Sequence, residues 1–406
     1  MPAPLLLDLS HTSHTLARTG IQRVARSLHS ALGPQATAIT YDPYAEAWRE
    51  LDEAEKNTLS AQGSGTGRRG AHWPLQKKIS GRLQAWLGNQ SVIRIPPSAM
   101  EGGLLVPEVF SPAVATALPA LLAAVRGPRV AVFHDAIALK FPELTPAKTV
   151  ARFPGYLLEL LRFDGIAAVS EDSRQSLITY WEWLGLSNTQ TPPVHTIPLG
   201  VDPASNPMGC FSPRPETPAT VLSVGSIEGR KNHLALLDAA EQLWSAGKKF
   251  ELRLIGLAHP QTGRTALERV RALQAAGRPL RYDGPVDEAA LDQAYADCTF
   301  TVYPSLIEGF GLPVLESLAR GKPCICSARG ALGESARGGG CVTLEVMDAQ
   351  NLVAGVDRLL SSQVEYTMHA AAARARKLKS WATYAEEMTN WLSRLPRREV
   401  TRAATT

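Results

Sequence analysis

Short, nearly continuous apolar runs alternate with stretches of helical periodicity along both halves of the chain. Runs at 5–10, 129–135, 165–170 and 194–200 read as strands, as do those at 220–226, 250–256, 300–305 and 323–327. A strand that is apolar on both sides of its pleat suits a parallel sheet covered by helices on both faces. Between the runs, Ile21, Val24, Leu28 and Leu32 share one face of a helix over 19–32, with Thr19 as its N-cap. Leu234, Leu237, Ala240 and Leu243 do the same over 232–246, and Gly247 supplies a stop. This alternation predicts an α/β chain made of parallel, doubly wound sheets. A Pro-, Gly- and Ser-rich stretch at 200–219 breaks it in two. The expected domains are therefore 1–203 and 204–379, followed by a helix over 380–396 and a polar, frayed tail over 397–406. In that helix Trp381, Tyr384, Met388 and Leu392 recur at helical spacing, as core residues do. Residues 49–103 show no such alternation and read as an irregular, basic insertion.

Length and composition sharpen this only in part. A chain of 406 residues accommodates two domains, each with its own core. Five cysteines occur without any Cys-x-x-Cys, which argues for a reducing, cytoplasmic compartment. Cys324 and Cys326 alternate on a strand and read as buried residues, not metal ligands. The N-terminus lacks a basic stretch, and Asp8 interrupts its apolar run too early for a signal peptide. No run approaches the ~20 apolar residues of a membrane-spanning helix. A net charge of +4 does not call for nucleic acid. It is unevenly spread, however. Residues 68–87 contain Arg68, Arg69, Lys77, Lys78 and Arg82, interleaved with Trp73, Leu75, Ile79, Leu83, Trp86 and Leu87. That pattern fits a helix lying on an anionic membrane surface. It fits equally a solvated helix packed on the first domain.

The candidate chemistry concentrates in YPSLIEGFGLPVLESLARGKP, residues 303–323. A strand ends at Ser305, a Gly-rich turn follows, Pro313 opens a helix and Gly321 closes it. Backbone amides around Gly309, Phe310, Gly311 and Leu312 then face out of a helix N-terminus, a site suited to a diphosphate. Glu308 and Glu316 bracket it. Carboxylates repel phosphate, so their use is to accept hydrogen bonds from vicinal hydroxyls. In LSVGSIEGRKNHLALL, residues 222–237, Arg230 and Lys231 stand at a strand-to-helix turn, where cations neutralise a departing diphosphate. In the first half, Gly20 opens the helix after the first strand and permits close approach of a ligand. His134 and Asp135 sit at the carboxyl end of the run at 129–135, where ligands bind in open α/β sheets. Ser170, ending the run at 165–170, reads as a helix N-cap or as a residue of the ligand-binding edge.

The nine-residue string EGFGLPVLE, with its two terminal glutamates, resembles the paired-glutamate motif of the family 4 retaining glycosyltransferases. These are enzymes of the GT-B fold related to glycogen and sucrose synthases. The resemblance implies two Rossmann-like domains facing each other across a cleft, with the last helix crossing back onto the first domain. It assigns Glu308 to donor-sugar hydroxyls, Glu316 to the nucleotide ribose, Lys231 to the diphosphate and His134 to the donor sugar. Ser226 stands where the family often has a phosphate-binding Arg, and Arg230 compensates in the Arg-Lys-Asn subgroup. Thr19 replaces the first glycine of the family's Gly-Gly loop, and Gly20 keeps the second. Asp135 and Ser170 fall on the acceptor side. No Asp-x-Asp occurs, so the resemblance implies transfer without a metal ion or other cofactor. The subgroup is similar to bacterial enzymes of O-antigen, capsule and exopolysaccharide synthesis. By that analogy the donor is GDP-mannose and the acceptor a saccharide or lipid-linked saccharide, at the inner face of the plasma membrane. Two other readings share the architecture: a sugar-nucleotide 2-epimerase and a non-catalytic nucleotide-sugar-binding scaffold. A dinucleotide dehydrogenase is disfavoured, because no intact Gly-x-Gly-x-x-Gly follows the first strand.

Overall fold

The computed structural model describes residues 4–18, 20–61, 70–86, 92–202 and 218–398. They fall into two compact units. One runs to Leu199 and takes in the chain again from Trp381; the other holds Gly200–Ser380. The expected boundary at 203–204, the capping Thr19 and Cys210 lie outside the described residues.

The first unit is built on eight strands: β1 (Leu5–Asp8), β2 (Ala36–Asp42), β3 (Ala47–Glu50), β4 (Ile93–Arg94), β5 (Leu104–Val106), β6 (Arg129–Phe133), β7 (Gly165–Ala168) and β8 (Val194–Thr196). Their order is β4-β3-β2-β1-β5-β6-β7-β8. All neighbours are parallel except β2 and β3. The second unit has β9 (Ala219–Val224), β10 (Phe250–Ile255), β11 (Leu280–Tyr282), β12 (Phe300–Val302), β13 (Cys324–Ser327) and β14 (Cys341–Leu344). Its order is β11-β10-β9-β12-β13-β14, parallel throughout. Strand order reverses between β1 and β5 in one sheet and between β9 and β12 in the other. Loops leaving the carboxyl ends of those strand pairs diverge and open a crevice, the usual ligand site of such sheets.

The helices bury the faces their periodicity marks. Val24, Leu28 and Leu32 are buried on helix Gly20–Leu32, as are Leu237, Ala240 and Leu243 on helix His233–Ser245. Leu234 corrects the reading of that second helix: it is exposed, and Leu236 takes its place in the core. The described part of 49–103 is regular in structure. It holds the end of β3, helix Glu53–Ser60, helix Leu75–Trp86 and β4. A capping box at Asp52 and Glu55 starts the first of these helices. Cys324 and Cys326 are fully buried on β13. Among the described residues, no helix is long and apolar enough to cross a membrane.

Helix Trp381–Leu392 buries Trp381, Tyr384, Met388 and Leu392 and packs against helix Gly20–Leu32 of the first unit. Its approach to the sheet depends on Gly165 in β7. A Cβ there would lie 2.6 Å from Leu395 Cδ1 and 2.8 Å from Trp391 Cη2. The chain beyond the helix is also tied down, so Arg398 is not part of a frayed tail. The buried Asp164 carboxylate accepts from Arg129 Nε at 2.8 Å and Nη2 at 2.7 Å, and from the Arg398 amide at 2.6 Å. Arg129 Nη2 donates in turn to the Arg398 carbonyl at 2.9 Å. Removing one partner of such a pair strands the other charge in the interior. Asp164→Ala is therefore expected to cost the first unit about 3–5 kcal/mol. Urea unfolding followed by tryptophan fluorescence checks this, and an unchanged midpoint contradicts it.

Candidate active site

The loops after β9 and β12 meet at the reversal point of the second sheet. Lys231, at the end of the first loop, is buried, and its Nζ donates to Glu308 Oε1 at 2.5 Å and to the Tyr303 hydroxyl. Tyr303 donates to the same Glu308 oxygen at 2.9 Å, as does Ser305. Arg230 Nη1 donates to Glu308 Oε2 at 2.8 Å, and its Nη2 pairs with Glu228 Oε1 at 2.9 Å. The Leu306 amide bonds the Arg230 carbonyl at 2.9 Å, which staples the two loops together. The two cations expected at this turn are thus not uncompensated: Glu308 and Glu228 balance them. Burial alone would raise the Glu308 carboxyl, but Arg230 and Lys231 outweigh it and hold the group at about 2. Burial pushes the Lys231 ammonium down and the Tyr303 phenol well up.

Beyond Glu308 the turn Gly309-Phe310-Gly311 leads into helix Leu312–Ala319. Gly311 has φ +99°, and a Cβ there would come within 2.8 Å of Leu332 Cδ2. Any side chain at this position would be strained and crowded, so glycine is needed to start the helix here. The Phe310 carbonyl accepts from Ser335 Oγ at 2.7 Å, fixing the turn. Glu316 is buried on this helix and accepts from the Tyr295 hydroxyl at 3.0 Å. Arg320 lies over the Tyr295 ring at 4.6 Å.

In the first unit, His134 follows β6 and is buried, which lowers its pKa and keeps the ring neutral. Its Nε2 lies 2.7 Å from the Pro107 carbonyl, which can only accept. The proton therefore sits on Nε2, and Nδ1 is the acceptor. Asp135 Oδ1 accepts from the Ile137 amide at 3.0 Å, a turn contact. Ser170 caps helix Glu171–Trp183 by accepting from the Ser173 amide at 3.1 Å. Gly20 is exposed, and a Cβ there would meet nothing within 4 Å, so packing within the chain does not require glycine.

Comparison with known proteins bears on the same segment. The family profile described as "Glycosyl transferases group 1" matches residues 211–378, the stretch that carries Arg230, Lys231, Glu308 and Glu316. The match covers about two fifths of the chain. A serotype-specific mannosyltransferase of Escherichia coli, WbdA, is 26% identical over 341 residues, 79% of this chain and 38% of the relative. A GDP-mannose-dependent alpha-(1-6)-phosphatidylinositol dimannoside mannosyltransferase of Mycobacterium tuberculosis is 28% identical over 265 residues, 62% of this chain and 60% of its own. The chain thus spans less than two fifths of WbdA. Among solved structures, HepE of Anabaena in complex with UDP and glucose has a TM-score of 0.66 at 16% identity, over 97% of this chain and 100% of that one. Sucrose-phosphate synthase of Thermosynechococcus elongatus has a TM-score of 0.64 at 18% identity, covering 96% and 98%. At these identities the likeness concerns the fold, and the two parallel sheets are those of GT-B.

Several groups at these sites escaped the sequence reading. Tyr303 and Ser305 complete the shell around Glu308, and Glu228 balances Arg230. At the reversal point of the first sheet, the buried Glu108 accepts from the His11 and Thr12 amides at 3.0 Å each. Beside it, burial raises the Asp8 carboxyl to about 7. An acid ending an apolar strand was the available signal for Asp8. His233, the first residue of helix His233–Ser245, is buried with Nδ1 lacking a hydrogen-bond partner. Burial first, then the Lys231 charge, lowers it to about 3.

That shift has a testable sign. A histidine whose folded pKa is depressed binds its proton preferentially in the unfolded chain. Stability is lost as pH falls below the ordinary histidine value, and the loss stops near pH 3. Between about pH 6 and 4 this one group contributes about 1.4 kcal/mol per pH unit. His233→Leu is expected to flatten the acid limb of the unfolding profile by that slope. Parallel limbs for parent and variant would contradict it.

Proposed function

We propose that this chain transfers a mannosyl residue from GDP-mannose to a saccharide or lipid-linked acceptor of a bacterial surface glycan, with retention at the anomeric carbon. The observation that carries this reading is the Arg230–Glu308–Lys231 cluster at the reversal point of the second sheet, inside the family-matched segment. The relatives support this donor: the Mycobacterium tuberculosis enzyme is GDP-mannose-dependent, and an O-antigen chain mannosyltransferase of Escherichia coli is 35% identical over 106 residues, 26% of this chain.

The geometry suggests an exchange of partners. With Glu308 and Glu228 already balancing the cations, a diphosphate gains little by simple addition. It gains by replacing Glu308 on Lys231 and Arg230, aided by the amides at Gly311 and Leu312. The exchange frees lone pairs on Glu308, which then accept from donor-sugar hydroxyls. Each ion keeps a counter-charge or hydrogen-bond partner throughout, so no charge is left bare in a buried place. Glu316, on its buried helix, takes the ribose hydroxyls. His134 Nδ1 accepts from a sugar hydroxyl, while Gly20, Asp135 and Ser170 keep the ligand-edge roles that the family motif implies. As the bond from anomeric carbon to phosphate oxygen breaks, negative charge grows on the departing diphosphate. Cations fixed beside it lower that barrier. The acceptor hydroxyl attacks on the same face and passes its proton to the leaving phosphate oxygen.

A thermal-shift screen of UDP-, GDP-, dTDP- and ADP-sugars tests the donor. GDP-mannose at a hundred times its Kd is expected to add about 2.7 kcal/mol of stability. In Lys231→Ala and Glu316→Ala the shift shrinks, and kcat/KM falls at least about tenfold, the loss of a charged hydrogen bond worth about 1.5–3 kcal/mol. Folded variants that bind and turn over like the parent would remove the site from the reaction.

Positive charge in this scheme comes from side chains and a helix start. Transfer is accordingly expected to persist in EDTA. Loss on chelation, restored by Mn²⁺ or Mg²⁺, would show that a metal ion holds the diphosphate.

A further inference from the structure

Among the described residues, helix Leu75–Trp86 meets the first unit through one side. Gly81 is buried, and a Cβ there would lie 2.8 Å from Tyr44 Cβ. Lys77, on the same side, pairs with Asp52 and with Glu55 at 2.8 Å. Just before the helix, the buried Trp73 stacks on His14 with ring centroids 3.8 Å apart. At 3.6 residues per turn, Leu75, Ile79, Leu83 and Trp86 occupy an arc of about 80° on the opposite side. Their exposures are 71%, 60%, 54% and 81%. Four large apolar side chains in one stripe, turned away from the face that packs on the described residues, are not the surface of a solvated helix.

Charge selects what covers the stripe. The helix contains Lys77, Lys78 and Arg82 and no acidic residue. Lys77 is spent on Asp52 and Glu55. Lys78 and Arg82 lie along one edge of the stripe, 5.7 and 5.6 Å from the centre of the Tyr44 ring. A second copy of the helix would bring the same cations face to face. An anionic lipid surface offers apolar chains to the stripe and phosphates to its edge. Trp86 at the helix end has the amphipathic ring that favours the headgroup boundary.

We propose that helix Leu75–Trp86 docks this protein on anionic membranes, with Leu75, Ile79, Leu83 and Trp86 entering the headgroup boundary and Lys78 and Arg82 contacting lipid phosphates. Arg68, Arg69 and Leu87, which continue the pattern in sequence, lie outside the described residues and carry no part of this. The docking surface is independent of the transfer site. Attachment is reversible, since two cations at about fivefold each and four partly inserted side chains do not approach the hold of a spanning helix.

Co-sedimentation of the full chain with vesicles of phosphatidylcholine alone, or containing 30% phosphatidylglycerol, tests it, with ~30% chosen as a typical anionic fraction. The parent is expected to bind only the anionic vesicles, and less tightly as salt is raised. Lys78→Glu/Arg82→Glu is expected to weaken binding about twentyfold or more. Ile79→Ser/Leu83→Ser/Trp86→Ser is expected to abolish it, while transfer to a water-soluble acceptor stays at the parent rate. Equal sedimentation of parent and variants would overturn the proposal. So would a parent that stays in the supernatant, or one that is a dimer in solution and that the triple serine variant turns into a monomer. A protein that binds vesicles yet transfers no sugar would leave the docking intact and count against the transfer reaction alone.

Discussion

One partly buried carboxylate, Glu308, ties together two loops that a parallel sheet drives apart. At a reversal of strand order the loops after β9 and β12 leave in opposite directions, and no sheet hydrogen bond joins them. Glu308 crosses that divide to Lys231 and Arg230, some 77 residues earlier in the chain. The backbone bond from Leu306 to Arg230 reinforces it. Buried ion pairs of this kind return little net stability, because desolvation offsets the Coulomb attraction. What they do supply is position. Two cations and a carboxylate are held within hydrogen-bond distance of one another, beside a helix that begins at Gly311.

The two sheets handle their reversal points differently. In the second, cations outweigh burial and Glu308 stays ionised down to about pH 2. In the first, Glu108 fills the corresponding gap by accepting backbone amides at His11 and Thr12. Burial there raises both Glu108 and its neighbour Asp8, the latter to about 7. Arg26 is near enough to matter but is itself lowered to about 10, by burial first. One crevice is thus a charge-balanced ionic site, and the other is a hydrogen-bonded scaffold whose acids are raised by burial.

What the sequence shows of this follows from how each feature is encoded. Strands buried on both faces are visible as apolar runs, and β1, β6, β7, β9, β10, β12 and β13 were legible for that reason. Strands β3, β4, β11 and β14 carry partly or fully exposed positions and so leave no continuous apolar run to read. Leu234 was misplaced because a helical wheel gives an apolar arc and not its edges, and Leu234 lies beyond the arc that Leu236, Leu237, Ala240 and Leu243 bury. The string at 303–323 exposed Glu308, Gly311 and Glu316 because turn, helix start and acids are adjacent in sequence. The pairing of Arg230 and Lys231 with Glu308 was not legible, since periodicity carries no information about which distant loops converge. Tyr303 was hidden for the same reason: only its contacts distinguish it from any aromatic ending a strand.

The return of the chain to the first unit sets where change is tolerated. The family profile ends at residue 378, and Trp381 onward belongs to the first unit. That last segment is held by a glycine without room for a side chain, Gly165, and by the Asp164 carboxylate shared between Arg129 and Arg398. Losing it would open the first unit's core at Trp381, Tyr384 and Met388 while leaving the Glu308 cluster's own contacts intact. Helix Leu75–Trp86 is at the other extreme. It meets its unit through Gly81, Lys77 and the neighbouring Trp73, so its outer residues can vary without disturbing either sheet. A surface with that freedom is where a chain of this architecture can be fitted to its surroundings while the ionic cluster between β9 and β12 stays as it is.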